Sequence, residues 1–262
     1  MARRIVITSG KGGVGKTTFV ANLGVRLARR GLRVCMIDLD LGLNNLDIIL
    51  GVENKVIFDI VDVVEGKCRL KQALVQDESC NSLYLLPSCK NASKGMISGQ
   101  NVKLVVERMS RIFDYILIDC PAGIGTGFHR AVSAADEAIV VMTPTLTSLR
   151  DAKKAVTLLK SYDLISVKCV VNRLRGDMVM SGEMMDAFEI FTMLDVAPLG
   201  IIPDDDLLSF KLPNETEKNM PSDTAFEMVA TNLHEGTDYM FDCISRYSGF
   251  LGNIRRKIKR RA

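Results

Sequence analysis

Short runs of β-branched and aliphatic residues recur along the chain, separated by longer stretches of helical periodicity. The clearest lie at 5–8, 34–37, 83–86, 115–118, 138–141, 167–171 and 199–202. Each is apolar at consecutive positions rather than at alternate ones, the pattern of strands covered on both faces. Residues 16–30 and 148–162 instead read as helices. Gly31 follows Arg29 and Arg30 where a helix C-terminus calls for a left-handed residue. Strands alternating with helices predict a mostly parallel twisted sheet with helices on both faces. The turn-rich stretches 87–100 and 203–222 read as loops inside one α/β domain, with no internal repeat and no Pro-, Gly- or Ser-rich linker.

Between the first strand and the first helix stands Gly10-Lys11-Gly12-Gly13-Val14-Gly15-Lys16-Thr17, which fits G-x-x-x-x-G-K-[ST]. A strand before and a helix after are the setting in which such a loop turns consecutive backbone N–H groups around phosphate oxygens. The helix N-terminus adds positive potential, Lys16 neutralises the outer phosphates, and the Thr17 hydroxyl is a ligand for Mg²⁺. A dinucleotide-binding loop is the weaker reading, because it has no use for the Lys-Thr pair. Lys11 is surplus to the loop's own nucleotide and points to a role in trans, like that of an arginine finger. Two further strands end in acids: 34–37 runs into Asp38-Leu39-Asp40, and 115–118 into Asp119-Cys120-Pro121-Ala122-Gly123. Carboxylates at strand ends beside a phosphate loop can hold Mg²⁺ through water or orient the attacking water.

Composition adds exclusions. A chain of 262 residues, 47% hydrophobic and 25% charged, is no disordered chain, collagen or disulfide scaffold. Seven cysteines without a C-x-x-C pair, several of them inside apolar strands, read as reduced core thiols. With only His129 and His234 available, they also disfavour a zinc site and an iron–sulfur carrier. The N-terminus moves straight into a strand and lacks the apolar core of a signal peptide, which predicts a cytoplasmic protein.

The net charge of +3 is an average over two unlike parts. Residues 255–262 hold six bases and no acid, leaving 28 bases against 31 acids in the rest. On a helix at about 100° per residue, Tyr247, Phe250, Leu251, Ile254 and Ile258 share one stripe of roughly 100°. Arg255, Arg256, Lys259 and Arg260 take the opposite face, with Lys257 and Arg261 flanking the stripe. That layout is an in-plane membrane helix for anionic lipid. One copy would bind marginally, and two on a dimer would gain from effective concentration. A DNA-binding tail would not need the apolar stripe, so no nucleic acid is expected.

The loop Lys11-Gly12-Gly13-Val14-Gly15-Lys16-Thr17-Thr18 resembles that of the ParA/MinD family of deviant Walker A P-loop ATPases. Asp38-Leu39-Asp40-Leu41-Gly42-Leu43-Asn44-Asn45-Leu46-Asp47 and Ile60-Val61-Asp62-Val63-Val64-Glu65-Gly66 resemble the septum-placing branch of that family. So do Asp119-Cys120-Pro121-Ala122-Gly123-Ile124, Ser148-Leu149-Arg150-Asp151-Ala152, Val171-Asn172-Arg173-Leu174-Arg175 and Leu199-Gly200-Ile201-Ile202-Pro203. A DNA-partitioning ATPase and a flagellar-number regulator are the rival members.

The resemblance implies a P-loop NTPase domain over 1–246 and an amphipathic membrane-targeting tail over 247–262. It implies slow, partner-activated hydrolysis of ATP with Mg²⁺ in an ATP-dependent homodimer. Lys11, Gly12, Gly13, Val14, Gly15, Lys16, Thr17, Thr18, Asn45, Asn172, Arg173, Pro203 and Asp204 would bind nucleotide, with Asn172 reading adenine. Lys11, Lys16, Asp38, Asp40 and Asp119 would serve catalysis, Asp40 positioning the hydrolytic water. Thr17 would ligate the metal, with Asp40 and Asp119 acting through water. Implied partners are a MinC-type division inhibitor, a MinE-type or substitute activator that meets the chain near Asp151, and the inner face of the cell membrane. The chain departs from the family at Gly125 and Thr145, where glutamates are common, at Gly176, where proline is common, and over 212–218.

Overall fold

The computed structural model describes residues 1–41, 45–89, 97–209, 212–213 and 220–248. Eight strands form one sheet: β1 (Arg3–Thr8), β2 (Val34–Asp38), β3 (Val75–Gln76), β4 (Leu83–Leu86), β5 (Tyr115–Asp119), β6 (Glu137–Met142), β7 (Ser166–Leu174) and β8 (Ala197–Pro203). Their spatial order is β3-β4-β2-β5-β1-β6-β7-β8, and every pairing is parallel except that of the two-residue edge strand β3 with β4. The helices are α1 (Lys16–Arg29), α2 (Leu46–Leu50), α3 (Ile60–Val64), α4 (Leu70–Ala73), α5 (Gly99–Met109), α6 (Thr126–Val132), α7 (Leu146–Leu159), α8 (Gly176–Met180), α9 (Ala187–Leu194) and α10 (Pro221–Glu235). All seven expected strands are present, and the two expected helices appear as α1 and α7.

Alternation along the strands divides the apolar side chains between two cores. In β1, Ile5 and Ile7 face one core while Val6 faces the other. In β2, Val34 and Met36 pair with the first, Cys35 and Ile37 with the second. One core is closed by α1 and α10 through Phe19, Leu23, Leu27, Phe226, Val229 and Leu233. The other is closed by α5, α6, α7 and α9 through Val102, Phe128, Val156 and Ile190. Cys35, Cys120 and Cys169 are buried free thiols, and burial pushes the Cys120 thiol up to about 12. Gly31 caps α1 as expected, at φ +81 with its N–H on the Ala28 carbonyl at 2.9 Å.

Two features bear on the sequence reading of the C-terminus. Tyr247 ends a single 3-10 turn, Ser245–Tyr247, and its ring is only 6% exposed. Ser248 then turns extended at φ −84, ψ 156, which breaks any helix running from 247 onward. Tyr247 therefore belongs to the body, not to the apolar stripe assigned to it. Its hydroxyphenyl gains more by packing on the domain than a marginal helix end could offer. Phe250, Leu251, Ile254, Ile258 and the six bases lie outside the described residues. No helix among the described residues is long and apolar enough to cross a membrane.

Candidate active site

Strand order fixes where the site falls. From β1 the chain departs to β2 on one side of the sheet, while β6, β7 and β8 build outward on the other. The crevice beyond the carboxyl ends of strands at such a reversal is where open α/β sheets bind ligands. The phosphate loop leaves β1 at this point, and Asp38 and Asp119 end β2 and β5 as a register pair. They are brought together by strand pairing, 81 residues apart in sequence.

The loop opens α1 through Gly15, at φ +87, with no side-chain cap and no acid in the first turn. In contrast, Asp59, Ser98 and Asp186 cap α3, α5 and α9 with side-chain oxygens. The leading N–H groups of α1 thus lack the side-chain cap those helices have, as a phosphate site requires. A cleft of about 450 Å³ lies over them, lined by Lys11–Thr18, Asp40, Asn45 and Arg173. Ser9, Ile48, Ile49 and Ala122 complete its wall. The two isoleucines were missed because α2 reads in sequence as part of the acidic turn after β2. Asn45, the residue before α2, also lines the cleft.

The two loop lysines occupy opposite environments. Lys16 is 7% exposed, and its Nζ donates to Asp119 Oδ1 at 2.6 Å. Asp119 is buried, and burial pushes its carboxyl up against the opposing pull of Lys16 and Thr17. Its second oxygen, Oδ2, has no hydrogen-bond partner among the described residues. An orphaned carboxylate oxygen beside the Thr17 hydroxyl, behind the phosphate cradle, has the chemistry to hold a hydrated Mg²⁺. Thr17 would hold that ion directly, Asp119 and Asp40 through its waters, and the ion would neutralise phosphate charge. Lys11, by contrast, is exposed at the rim, its backbone carbonyl fixed by the Ser9 hydroxyl at 2.9 Å.

Asp38 sits behind the cleft and does not line it. Its Oδ1 accepts the Asp40 N–H at 2.9 Å and its Oδ2 the Leu46 N–H at 3.3 Å, so one carboxyl ties both ends of the turn that carries Asp40. Burial, reinforced by the neighbouring Asp119 charge, pushes Asp38 up to about 7. Asn172 is likewise behind the loop. Its Nδ2 donates to the Val14 carbonyl at 2.8 Å and stands where a Cβ on Gly15 would come within 2.6 Å. Arg173, next to it, reaches the cleft from left-handed backbone at φ 59. Pro203 and Asp204 lie at the end of β8, where the Asp204 N–H meets the Leu174 carbonyl at 3.1 Å; neither lines the cleft.

The departures have local reasons. Gly125 precedes α6 on the wall of a second cleft of about 200 Å³ that shares Asp40 and Ala122 with the first. A Cβ there would meet nothing within 4 Å, so packing does not demand the glycine. Thr145 caps α7, its Oγ1 accepting the Ser148 N–H at 3.3 Å. Gly176 is required: a Cβ would lie 1.8 Å from the Cys243 carbonyl oxygen. Asp151 is half-buried, near Lys154 and Arg150, and its backbone presses on the loop so closely that a Cβ on Gly10 would fall 2.1 Å from it.

A phosphate loop with a buried lysine, an uncapped helix start and paired strand-end carboxylates at the reversal of a parallel sheet define a P-loop ATPase. A family model described as an AAA domain matches residues 2–168. The putative septum site-determining protein MinD of Guillardia theta is 44% identical over 98% of this chain and 97% of its own length. The MinC:MinD cell division complex of Aquifex aeolicus contains a chain 41% identical, with a TM-score of 0.83 over 91% of this chain and 97% of that one. MinD of Pyrococcus horikoshii, solved with Mg-ADP, is 30% identical with a TM-score of 0.79 over 90% of this chain and 97% of that one. The chain belongs to the MinD family of septum site-determining ATPases.

Proposed function

We propose that this protein is the nucleotide switch of division-septum placement: it hydrolyses ATP with Mg²⁺, dimerises across bound ATP, and holds a MinC-type inhibitor at the inner face of the cell membrane. The observation that carries this reading is the division of labour between the two loop lysines. Lys16 is committed to its own site by Asp119, while Lys11 stands exposed at the rim, where a second protomer's phosphates could meet it. Charge delivered in trans makes hydrolysis conditional on assembly. The Aquifex relative, solved as a complex with MinC, and the Pyrococcus relative, solved with Mg-ADP, support the partner and the nucleotide. A MinE-type or substitute activator would meet the α7 surface near Asp151, whose backbone already touches the phosphate loop.

The basic segment 249–262 supplies the membrane contact in this reading, with Phe250, Leu251, Ile254 and Ile258 inserted and the six bases on anionic headgroups. Doubling it on the dimer makes residence depend on ATP. Sedimentation with anionic liposomes under ATP, under ADP, and after truncation at Ser248 tests the switch. Pelleting with ATP alone, lost on truncation, is expected. Equal pelleting in ADP, or binding that survives truncation, would refute it. Co-sedimentation with duplex DNA but not with liposomes would move the protein to the DNA-partitioning branch.

A further inference from the structure

The last residues of β7 and the first of α8, 172–176, form a short segment that begins behind the phosphate loop and ends beneath the C-terminal segment. At its start, Asn172 Nδ2 donates to the Val14 carbonyl, and Arg173 reaches the cleft from left-handed backbone. A non-glycine residue keeps that conformation only where its surroundings over-determine it. At its end, Gly176 opens α8 under the Cys243 carbonyl, and a Cβ there would also come within 3.2 Å of the Tyr247 ring. Cys243 and Tyr247 are both buried, and the Arg246 guanidinium covers the Tyr247 ring at 4.9 Å. Between the two ends Arg175 holds Asp177 at 2.7 Å, and the Leu174 carbonyl accepts the Asp204 N–H. Neither end of so short and so tied a connection moves far without the other.

We infer that the segment Cys243–Tyr247 is a clamp that positions Asn172 and Arg173 for the nucleotide, with Gly176 and Tyr247 as its positioning residues. Coupling between two sites is reciprocal, so nucleotide in the cleft tightens the clamp as much as the clamp favours nucleotide. The tail follows the clamp directly in the chain. On the membrane reading proposed above, the base of the membrane segment is therefore set by nucleotide occupancy as well as by dimerisation.

The test uses the full-length protein with Mg²⁺ and a fluorescent ATP analogue. It measures the analogue's dissociation constant, single-turnover hydrolysis at saturating ATP, and amide hydrogen exchange over 240–248 with and without nucleotide. Tyr247→Ala and Gly176→Ala are expected to weaken binding by roughly five-fold or more, the lower range of measured site couplings. The rate at saturating ATP stays at the wild-type value. In the wild type, nucleotide slows exchange over 243–248; the two variants lose that response and Tyr247→Phe keeps it. Wild-type affinity in Tyr247→Ala, exchange indifferent to nucleotide in the wild type, or a fall in saturated rate alongside affinity would overturn the inference. Should Gly176→Ala not fold, Tyr247→Ala and Tyr247→Phe decide alone. Liposomes enter none of these readouts, so failure of the membrane reading and failure of the clamp are separate results.

Discussion

Lys16 Nζ donates to Asp119 Oδ1 at 2.6 Å with both groups nearly sealed from water, 7% and 1% exposed. The loop lysine thus has a carboxylate counter-ion of its own. On the proposed function, incoming phosphates would compete for the same ammonium and Mg²⁺ for the carboxylate. Binding would then be an exchange of partners rather than a first neutralisation. This shapes what removing the acid does.

Asp119→Asn leaves the Lys16 charge buried without its counter-ion, which costs on the order of 3 kcal/mol in the nucleotide-free protein. For a chain of this size that is a fall in Tm of roughly 6–12 °C. Phosphates repair the loss, so added nucleotide raises Tm more in the variant than in the wild type, while hydrolysis falls. Differential scanning fluorimetry with and without Mg²⁺ and a non-hydrolysable ATP analogue reads both effects.

Asp38 is pushed up to about 7 by burial and by Asp119, from an ordinary value of 3.8. A carboxyl that protonates more readily in the folded chain supports the fold fully below about 4 and loses that support as pH rises through about 7. Asp38→Asn therefore flattens the decline of stability between those two pH values. Because an amide nitrogen cannot accept the second N–H, the turn carrying Asp40 loosens and turnover drops. Urea unfolding at a series of pH values checks the first point; an unchanged slope in the variant would remove Asp38 as its source.

Asn172→Ala deprives the Val14 carbonyl of its buried donor, a penalty of about 1–3 kcal/mol that falls on the phosphate loop. Nucleotide affinity should drop by at least several-fold. Gly15→Ala acts from the other side of the same contact: its Cβ would come within 2.6 Å of Asn172 Nδ2, at a backbone φ of +87. Calorimetric titration of the two variants is expected to give the larger loss for Gly15→Ala.

Arg26 is 1% exposed between α1 and α10, where it meets Asp223, with Asn22 at 3.1 Å. Burial lowers its pKa, and the facing acids Asp223 and Glu227 oppose that shift. Asp223→Ala leaves the guanidinium short of its partner and costs about 3 kcal/mol. Adding Arg26→Met recovers most of that loss, since a well-packed apolar chain commonly replaces a buried ion pair without penalty. Chemical denaturation of the single and double variants would expose a simple surface effect if the second change restored nothing.

Sequence alone determined the parts whose signal is local. A strand covered on both faces has to be apolar at every position, so seven strands were legible as runs. The phosphate loop was legible because its glycines and its Lys-Thr pair must be contiguous to wrap one anion. The edge strand β3 was not, because a two-residue pairing leaves no periodicity. Tertiary structure alone decided how residues distant in sequence share a site. Strand order set Asp38 beside Asp119, whose charge adds to burial in pushing the Asp38 carboxyl up, and it placed Asn172 behind Val14 instead of on the cleft wall. Tyr247 makes the same point: its spacing fits an amphipathic stripe, yet a glycine 71 residues earlier gives its ring a buried seat on the body. Periodicity states which face of an element is apolar. Only the packed chain determines what that face meets.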